Sequence, residues 1–435
     1  MDDRLQDSIY YKKGQRPSNS CCIAFLKVGD GSTRENITDT LSKLWLMYDD
    51  LKLGKVIDLT DVNERHLRPG NLKILMGYGH KIFSLDIAPK KIPNDFGKNK
   101  KFKDPFREGG GPVVKDSRVR YSSDIKYNHA NSDHVILQFL GDNEFTTDRA
   151  LIETWKLLSD IRNSEGDYVL YISRAYTGFQ RMDGRNWLGF HDGVSNIASK
   201  DRFGAIAIRG DDLEDDDQWT VNGTYMAFIR IEIKLDKWQK NRRSDQEIII
   251  GRDKITGCPI VGVDTKGNPI KDPTCPIKGT FEVIEDGNET FREYRMPKIA
   301  SYSPEKVSKK SFDYSHVIRS KVTEKNSRGF STSRVFRQGY EFFEPIDSFP
   351  GFRVGLNFIS FQNNPSTLLQ ILQEGFNNNF YETQNFVPLE DFFSVRAAGL
   401  FFIPPFTEDD AFPGRNIFID IAPQQKSYLR NFRRY

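Results

Sequence analysis

The apolar residues of the chain fall into two patterns that alternate along it. Short continuous runs rich in β-branched and aromatic residues are typical of buried strands. Longer stretches, in which apolar residues recur every three or four positions, are typical of helices with one buried face. In the first half these patterns predict strands at residues 22–28, 71–83, 134–140 and 167–173, and helices near residues 35–53 and 147–161. The order strand, helix, strand therefore occurs twice.

The second half has the same order. Strands are predicted at residues 224–235, 333–342, 354–362 and 399–405, a helix begins within residues 236–240, and another spans about residues 366–376. Strand, helix, strand, repeated, is the split βαβ order of ferredoxin-like folds. We therefore predict the α+β class, with two ferredoxin-like domains whose antiparallel β-sheets are flanked by helices, as in the dimeric α/β barrel superfamily.

The predicted domain boundaries follow from this order. Residues 1–21 form a polar N-terminal extension, residues 22–200 the first domain and residues 201–435 the second. Two stretches rich in Gly, Pro and charge, residues 92–131 and 242–312, are predicted as long loops, the latter as an insertion. Loops of this length are often functional, so each either covers a site or is a surface insertion.

Length and composition are those of a globular protein with about two domains. The chain has 435 residues, of which 37% are hydrophobic and 28% charged. The net charge of +3 is too small to indicate nucleic-acid binding. Charges or prolines interrupt every apolar run before about 18 residues, so we predict no membrane span. The oligomeric state stays open, a homo-oligomer included.

The cysteines and the N-terminal sequence indicate the cytoplasm. The chain begins with a polar, acidic stretch, whereas a secretory signal peptide needs a basic and then an apolar stretch. Cys21 and Cys22 are adjacent, and Cys258 and Cys275 lack the spacing of a metal site. We therefore predict a cytoplasmic protein without a disulfide framework.

One acidic residue has an unusual sequence environment. Asp192 lies in Gly-Phe-His-Asp-Gly, after an apolar approach that contains Trp187 and Phe190. A solvated turn does not need such an approach, but a catalytic acid or base can use it. His316 follows much later, and Arg334 opens the sequence Arg-Val-Phe-Arg-Gln-Gly. Taken singly, the three residues have ordinary alternatives: a turn residue, a packed or solvated histidine, and a solvated cross-strand arginine.

In order and spacing these residues resemble the dye-decolorizing (DyP-type) peroxidases, haem enzymes built from two ferredoxin-like domains. The GxxDG motif of that family stands here at residues 189–193. Its proximal histidine corresponds to His316, and its distal arginine, which opens an R-x-x-R-x-G strand, to Arg334. Similar G-R…T-G-x-P and G-L-x-F stretches begin at Gly251 and Gly355. The similarity extends over most of the chain.

The resemblance implies haem b as the cofactor, with its iron bound by His316. A carboxylate that accepts the other N–H of such a ligand makes the imidazole a stronger donor. The resemblance favours Asp391 for this role over Glu390, with two solvated acids as the alternative. Asp192 is implied as the distal acid and base that moves the peroxide proton. Arg334 is implied to stabilise charge as the O–O bond breaks.

Six further haem contacts are implied. They are Asn196, Arg319 and Arg337 at the propionates, Leu356 and Phe358 as a dry roof, and His191. The motif glycines would let the backbone approach a flat macrocycle, and core packing is the alternative for the two apolar residues. The sequence departs from the family at Ile197, where a proline is usual. It departs again at Val317 and Ile318, which separate His316 from a single arginine.

The implied activity is a peroxidase that uses hydrogen peroxide to oxidise phenolic compounds and dyes in one-electron steps through a ferryl intermediate. Aromatic or dye-like electron donors would be its partners. Trp187, Trp238 and Tyr340 are candidate electron relays, with packing as the alternative. Two other functions stay open: a haem-binding or haem-delivery protein without turnover, and a haem enzyme acting on an oxyanion. Asp192 and Arg334 favour the peroxidase, because carriage of haem needs neither.

Overall fold

Eight strands form a closed ring at the centre of the molecule, four from each half of the chain. The computed structural model describes residues 5–56, 68–98, 120–121, 133–191, 196–266, 268–273, 275, 315–320, 323–326, 329–332, 334–376, 389–407 and 410–419. The ring strands are β1 (Ser20–Val28), β2 (Lys73–Gly79), β3 (Val135–Gly141), β4 (Leu170–Phe179), β5 (Thr224–Ile233), β6 (Tyr340–Pro345), β7 (Phe352–Gln362) and β8 (Phe393–Ile403).

Helices and smaller elements surround the ring. The helices are α1 (Arg34–Lys52), α2 (Glu144–Asp160), α3 (Ser199–Ile206), α4 (Arg243–Ile250), α5 (His316–Arg319) and α6 (Pro365–Phe376), with shorter ones at Asn94–Lys98, Leu235–Trp238 and Arg415–Phe418. Turns of 3-10 helix lie at His80–Ser84, Gly210–Asp212, Asp215–Thr220 and Leu389–Phe392. Small strands lie at Arg120–Tyr121, Ile260–Val263, Pro269–Lys271, Thr323–Asn326, Gly329–Thr332 and Phe336–Arg337.

The ring runs β1-β3-β2-β8-β5-β7-β6-β4 and returns to β1, and each neighbouring pair is antiparallel. The two halves meet where Glu341 of β6 pairs with Phe179 of β4. They meet again where Phe401 of β8 pairs with Gly79 of β2. Every strand of the ring therefore has a partner on each side, although the two junctions between the halves are only one and two residue pairs long. The predicted α+β class, with antiparallel sheets and flanking helices, is confirmed.

Alternation along the strands divides the core into an inner and an outer layer. On β1, Ile23 and Phe25 belong to the inner cluster, and Cys22, Ala24 and Leu26 belong to the outer one. Inside the ring, the Phe25 side chain contacts rings from the other half, including Phe228 at a centroid distance of 5.3 Å. The interior therefore binds the two halves together through apolar packing.

Helices α1 and α2 cover the outer layer of the first half. Helix α1 begins at a capping box, in which the Thr33 side chain accepts the Asn36 N–H and the Asn36 side chain accepts the Thr33 N–H. Its buried apolar residues are Ile37, Leu41, Leu44, Trp45, Met47, Tyr48 and Leu51. The Tyr48 hydroxyl lies 2.8 Å from the Thr154 hydroxyl of α2, which joins the two helices.

The N-terminal segment, predicted as a polar extension, is largely buried over residues 5–11, whereas residues 12–17 are mostly exposed. Ile9 is fully buried, and Tyr10 is 7% exposed. The Gln6 amide donates to the carbonyls of Met76 and Pro404 at 2.9 and 3.1 Å, and its oxygen accepts the Met76 N–H at 2.8 Å. Gln6 therefore ties the segment to the β2 strand and to the chain just after β8.

Two expectations for the second half are wrong. The stretch from residue 242 begins with helix α4 and a hairpin of Ile260–Val263 with Pro269–Lys271, where a loop was predicted. This helix and these strands are too short to give the long apolar pattern from which the other elements are predicted. Cys258 and Cys275 form a disulfide, although no framework was predicted, because the turn brings them together across 17 residues. Cys21 and Cys22 are free and buried.

Candidate active site

The chain turns tightly on its approach to Asp192. Residues 192–195, Asp192 among them, lie outside the described residues, whereas both flanks are described. On the N-terminal flank, Asn186 Oδ1 accepts the N–H groups of Leu188 and Phe190, each at 3.1 Å. The Asn186 N–H donates to the Phe190 carbonyl at 2.8 Å. Asn186 therefore closes a turn that ends just before Asp192.

Arg185 ties this turn to a neighbouring segment. Its guanidinium donates to the Gly189 carbonyl at 2.7 Å, to the Lys254 carbonyl, and to the Ile255 carbonyl at 2.9 Å. The imidazole Nε2 of buried His191 lies 3.0 Å from the same Ile255 carbonyl. Burial, with the positive charge of Arg185, lowers the pKa of His191. His191 is therefore neutral near pH 7 and anchored to residue 255.

Lys254 lies directly over the first glycine of the motif. Gly189 has a φ of +88°, and a Cβ there would lie 2.5 Å from Lys254 Cε. The Lys254 ammonium is 5.5 Å from the centroid of the Phe190 ring. That ring packs edge-on against Trp238, whose indole N–H donates to the Leu188 carbonyl at 3.2 Å. Close approach at Gly189 is thus to a lysine of the same chain.

Beyond Asp192, the loop is held by the strand Phe336–Arg337 and by Arg334, which lies just before that strand. The Asn196 amide donates to the Arg337 carbonyl at 2.8 Å, and its oxygen accepts the Arg337 N–H at 3.1 Å. The Arg334 guanidinium donates to the Asn196 carbonyl at 2.8 Å. Both arginines are half-buried. The structure therefore brings together the loop of Asp192 and the predicted distal arginine.

A residue that the sequence did not single out completes this anchor. Arg202 of α3 is 5% exposed, and it donates to the Ile197 carbonyl at 2.8 Å and to the Tyr10 carbonyl at 3.3 Å. Its guanidinium carbon lies 4.9 Å from the centroid of the Phe336 ring. Arg202 therefore connects the end of the loop, the N-terminal segment and Phe336, which is the neighbour of Arg337 in the strand.

His316 begins the short helix α5. The residue is half-buried, and α5 contacts helices α4 and α6. The side chain of Arg319, at the other end of α5, lies outside the described residues. The backbone of Asp391 is in the 3-10 turn before β8, but its side chain and that of Glu390 are also outside them. Their pairing with His316 stays a prediction.

A half-exposed apolar strip lies on the outer face of the second half. Leu356 of β7 is opposite Ile231 of β5, and Phe358 follows on the same face. All three side chains are half-buried, whereas Ile229, opposite Phe358, is 2% exposed. Other half-buried residues at the edge of the same core are Leu188, Leu369 and Ile371. Leu356 and Phe358 therefore retain exposed apolar surface that an apolar ligand could cover.

The three candidate electron relays differ in exposure. Tyr340 is fully buried, and Trp238 is 2% exposed. Trp187 is half-buried, and its indole N–H donates to the Phe342 carbonyl at 2.9 Å. The Arg181 guanidinium lies 4.9 Å from the centroid of the Trp187 ring. Of the three, Trp187 is the side chain that solvent reaches.

The donor set fits a haem group. A half-buried histidine on a short helix supplies an imidazole, the usual protein ligand of haem iron. Two half-buried guanidinia suit carboxylates or a developing negative charge. The half-exposed apolar strip suits a flat apolar macrocycle. In residue type and burial, this set therefore matches what a haem, its propionates and an oxygen ligand require.

Arg185, Lys254 and Arg202 hold the flanks of the loop, and none of them is a residue that the sequence predicts for the site. Lys254 lies within the G-R…T-G-x-P stretch that had been noted for its similarity to the family, and this stretch could have indicated it. Arg185 and Arg202 stand in no motif. Both bond backbone carbonyls, which every residue offers, so no pairing of residue types marks them.

No helix in the described part of the chain is long and apolar enough to cross a membrane. Deferrochelatase of Escherichia coli strain K12 is 26% identical over 199 residues, which are 45% of this chain and 42% of that protein. Deferrochelatase of Shigella flexneri serotype 5b shows the same identity and coverage. The chain therefore aligns with less than half the length of these curated relatives.

Solved DyP-type structures share the fold at low sequence identity. The DyP-type peroxidase of Cellulomonas bogoriensis superposes with a TM-score of 0.64 at 17% identity, covering 94% of each chain. Ferric DtpA of Streptomyces lividans gives 0.63 at 18% identity, covering 95% of each. A DypB variant of Rhodococcus jostii in complex with haem gives 0.56 at 16%, covering 90% of this chain and 94% of that one.

The family model described as Dyp-type peroxidase, C-terminal, matches residues 183–408, which is more than half of the chain. The match begins just before the turn of Asn186 and ends after β8. It thus includes the loop of Asp192, the helix of His316 and the segment from Arg334 to Arg337. The chain belongs to the DyP-type peroxidase family.

Proposed function

We propose that the protein is a haem peroxidase that reduces hydrogen peroxide and oxidises phenolic compounds and dyes in one-electron steps. The observation that carries the proposal is the 2.8 Å hydrogen bond from Arg334 to the Asn196 carbonyl. It joins residues 138 positions apart and brings a guanidinium to the loop that carries Asp192. A haem carrier needs neither Arg334 nor Asp192, so an arginine bonded to the loop that carries this aspartate favours turnover.

The chain's own residues suit haem b. His316 would bind the iron, with Asp391 accepting its other N–H. Arg319 and Arg337 would pair with the propionates. His191, Leu356 and Phe358 would contact the macrocycle. When bound, haem would supply the redox chemistry that cleaves the O–O bond and passes oxidising equivalents to donors.

Asn196 has a different part in this proposal from the one predicted. Its amide nitrogen and oxygen both bond the backbone of Arg337. We therefore assign Asn196 to holding the segment from Arg334 to Arg337 against the loop, so that the guanidinia keep their positions. Both arginines are then held beside the C-terminal end of the loop, at Asn196.

Asp192 would move the proton. As an ionised carboxylate it accepts a proton from one oxygen of peroxide and returns it to the other, so that the latter leaves as water. Arg334 stabilises the negative charge that develops during this cleavage. One such preorganised donor can contribute about 3 kcal/mol, or a factor of about 100 in rate.

The experiment is a spectroscopic titration of the haem-loaded protein with peroxide. Wild type should bind haem with a histidine-ligated Soret band, react with peroxide and then oxidise a phenol. Arg334→Leu should slow the peroxide reaction about 100-fold, whereas Arg209→Leu, an exposed arginine after α3, should not. An unchanged rate in Arg334→Leu would contradict the assigned role.

Two further variants separate the roles of His316 and Asp192. His316→Ala should shift or abolish the Soret band, and an unchanged spectrum would refute the ligand assignment. Asp192→Asn should remove the acidic limb of the rate profile, because an ordinary aspartate ionises near pH 4. A wild-type profile that is flat from about pH 4 to pH 8 would contradict an ionised Asp192 as base.

The deferrochelatase relatives favour a second candidate, in which haem is a substrate that loses its iron. Incubation of the haem-loaded protein with a reductant and an iron chelator tests it. Fluorescence of iron-free porphyrin would support this candidate. Oxidation of a phenol with intact haem would support the peroxidase.

A further inference from the structure

The residue that ends α4 touches the helix of His316. Gly251 has φ +87° and ψ 24°, and its N–H bonds the Glu247 carbonyl at 2.7 Å. A Cβ at Gly251 would lie 2.7 Å from Ser315 Oγ and 3.0 Å from Ser315 Cβ. It would also lie 3.3 Å from Val317 Cβ. The two residues that flank His316 therefore rest against a backbone that has no side chain.

The Ser315 contact has little freedom to relax. Ser315 is fully buried, so an added Cβ cannot be accommodated by turning its hydroxyl into solvent. Packed interiors transmit such displacements because they contain few voids. A methyl group at residue 251 must therefore displace either the end of α4 or the start of α5.

The same segment continues to the loop of Asp192. Three residues after Gly251, Lys254 covers Gly189, and the carbonyls of Lys254 and Ile255 accept hydrogen bonds from Arg185. Residues 251–255 therefore contact the helix of His316 at one end and the approach to Asp192 at the other. We call residues 251–255 the bridging segment.

Hydrogen bonds and an ion pair with neighbouring residues hold the bridging segment in place. Asp253 is fully buried, and its carboxylate accepts the Thr256 N–H at 2.7 Å and contacts the Lys271 ammonium at 2.9 Å. The Glu247 carboxylate accepts the Lys254 N–H at 2.9 Å. These bonds oppose movement of the segment, so displacement on the α5 side is the easier response.

We propose that Gly251 is a positioning residue for His316, because its missing side chain allows α5 to pack against the bridging segment. The inference rests on the proposed function, in which His316 is the haem ligand. An added Cβ at residue 251 would shift the start of α5, and an axial ligand that is out of place binds iron less well. Haem affinity and the ligand-sensitive ferric spectrum should both change.

The test compares two glycines with the same backbone strain. Gly166 has φ +89°, and a Cβ there would meet nothing within 4 Å. In Gly251→Ala we expect roughly tenfold weaker haem binding and a loss of the histidine-ligated ferric EPR and Soret signature. Gly166→Ala should match wild type in both. Equal behaviour of the two alanine variants would overturn the proposal.

A double variant separates the contact from the strain. Ser315→Gly removes both Ser315 atoms that the added Cβ would meet. Gly251→Ala/Ser315→Gly should therefore regain most of the affinity that Gly251→Ala loses, relative to Ser315→Gly alone. A double variant as weak as Gly251→Ala would show that the contact is not the cause.

Two controls keep the result interpretable. If Gly251→Ala fails to fold, Gly251→Asn replaces it, because asparagine tolerates positive φ while still adding a Cβ; wild-type haem binding by that variant would overturn the proposal. His316→Ala is titrated in parallel. If it binds haem with the wild-type spectrum, the proposed ligand fails, and with it the positioning role. If it loses the signature while Gly251→Ala keeps it, only the positioning role fails.

Discussion

The outer faces of the two halves of the ring differ in how well they are covered. In the first half, Ala24 of β1, Leu137 of β3 and Met76 of β2 are fully buried under α1 and α2. In the second half, Leu356, Phe358 and Ile231 occupy the corresponding kind of position on β7 and β5 but stay half-exposed. The second half thus has a half-buried apolar strip on β5 and β7, beside positions such as Ala227 and Phe402 that are fully buried.

The difference in burial predicts which substitutions change stability and which change ligand binding. Apolar area that is fully buried contributes its whole transfer free energy to folding. A contiguous half-exposed apolar strip gives up part of that free energy, and such patches mark binding sites. We therefore expect substitutions in the first half to change stability, and substitutions in the strip to change ligand binding more than stability.

Two phenylalanines test this contrast directly. Phe139 is fully buried on β3. The Phe139→Ala substitution should lower the unfolding free energy by about 4 kcal/mol. Phe358→Ala should cost the protein without haem only about 1 kcal/mol, but should weaken haem binding roughly tenfold. Urea unfolding and haem titration measure the two effects. If Phe358→Ala proves as destabilising as Phe139→Ala, the strip is ordinary core.

The cysteines extend the comparison to crosslinking. Cys21 and Cys22 of the covered half are free, whereas the disulfide Cys258–Cys275 closes the hairpin after the bridging segment. Replacing both disulfide cysteines by serine should cost about 3 kcal/mol for a loop of this length. Dithiothreitol should move the urea midpoint of wild type to that of the double variant and leave the variant unchanged. A wild-type midpoint insensitive to reductant would contradict the pairing.

Arg202 tests the junction between the halves. Arg202→Met keeps an apolar stem but loses the charged donors to Ile197 and Tyr10, which should cost about 2 kcal/mol. Arg209→Met removes one exposed hydrogen bond to Gly204 and should change stability by less than about 0.5 kcal/mol. Thermal unfolding compares the two. Equal small effects would mean that the anchor at the end of the loop does not contribute to stability.

The covered half should also have a pH-dependent stability that the strip does not share. Burial, followed by the charges of Lys81 and Lys27, lowers the pKa of His134 from 6.5 to about 4. Its Nδ1 accepts the Val28 N–H at 3.1 Å. Between about pH 4 and pH 6.5, His134 is therefore protonated in the unfolded chain but neutral in the folded protein. The contribution of His134 to the unfolding free energy should therefore be constant above about pH 6.5 and fall as the pH drops towards 4.

The expected loss is roughly 1–2 kcal/mol, after allowance for the partial exposure of His134. His134→Asn retains a side-chain acceptor without titrating, so the difference between it and wild type isolates this histidine from neighbouring Asp133. Urea unfolding at intervals between pH 4 and pH 7.5 measures the difference. A constant difference across that range would show that His134 titrates alike in both states.

Much of the fold was predictable from local pattern. The strands at β1, β3 and β7 and the helices α1, α2 and α6 begin and end close to their predicted bounds, because their apolar periods are long and uninterrupted. Helix α4 and the hairpin after it were missed. Both elements are short, and Asp253 organises the turn through hydrogen bonds that no apolar period reveals.

The candidate site was predictable as far as motifs reach. The order of Asp192, His316 and Arg334 indicated the family, which the match over residues 183–408 confirms. The bond from Arg334 to the Asn196 carbonyl was not predictable, nor was the one from Arg202 to the Ile197 carbonyl. A backbone carbonyl has the same chemistry at every residue, so sequence does not show which one an arginine will bind.

Sequence by itself determined the alternation of strands and helices, because that alternation depends on neighbours in the chain. It also determined the residue types available for chemistry. Tertiary structure alone decided the closure of the ring, the disulfide and the contact of Gly251 with Ser315. It also decided which apolar residues are covered: Phe139 and Phe358 look alike in the sequence, and only packing buries one fully and leaves the other half-exposed. These are long-range outcomes, and local pattern carries no information about which distant surfaces meet.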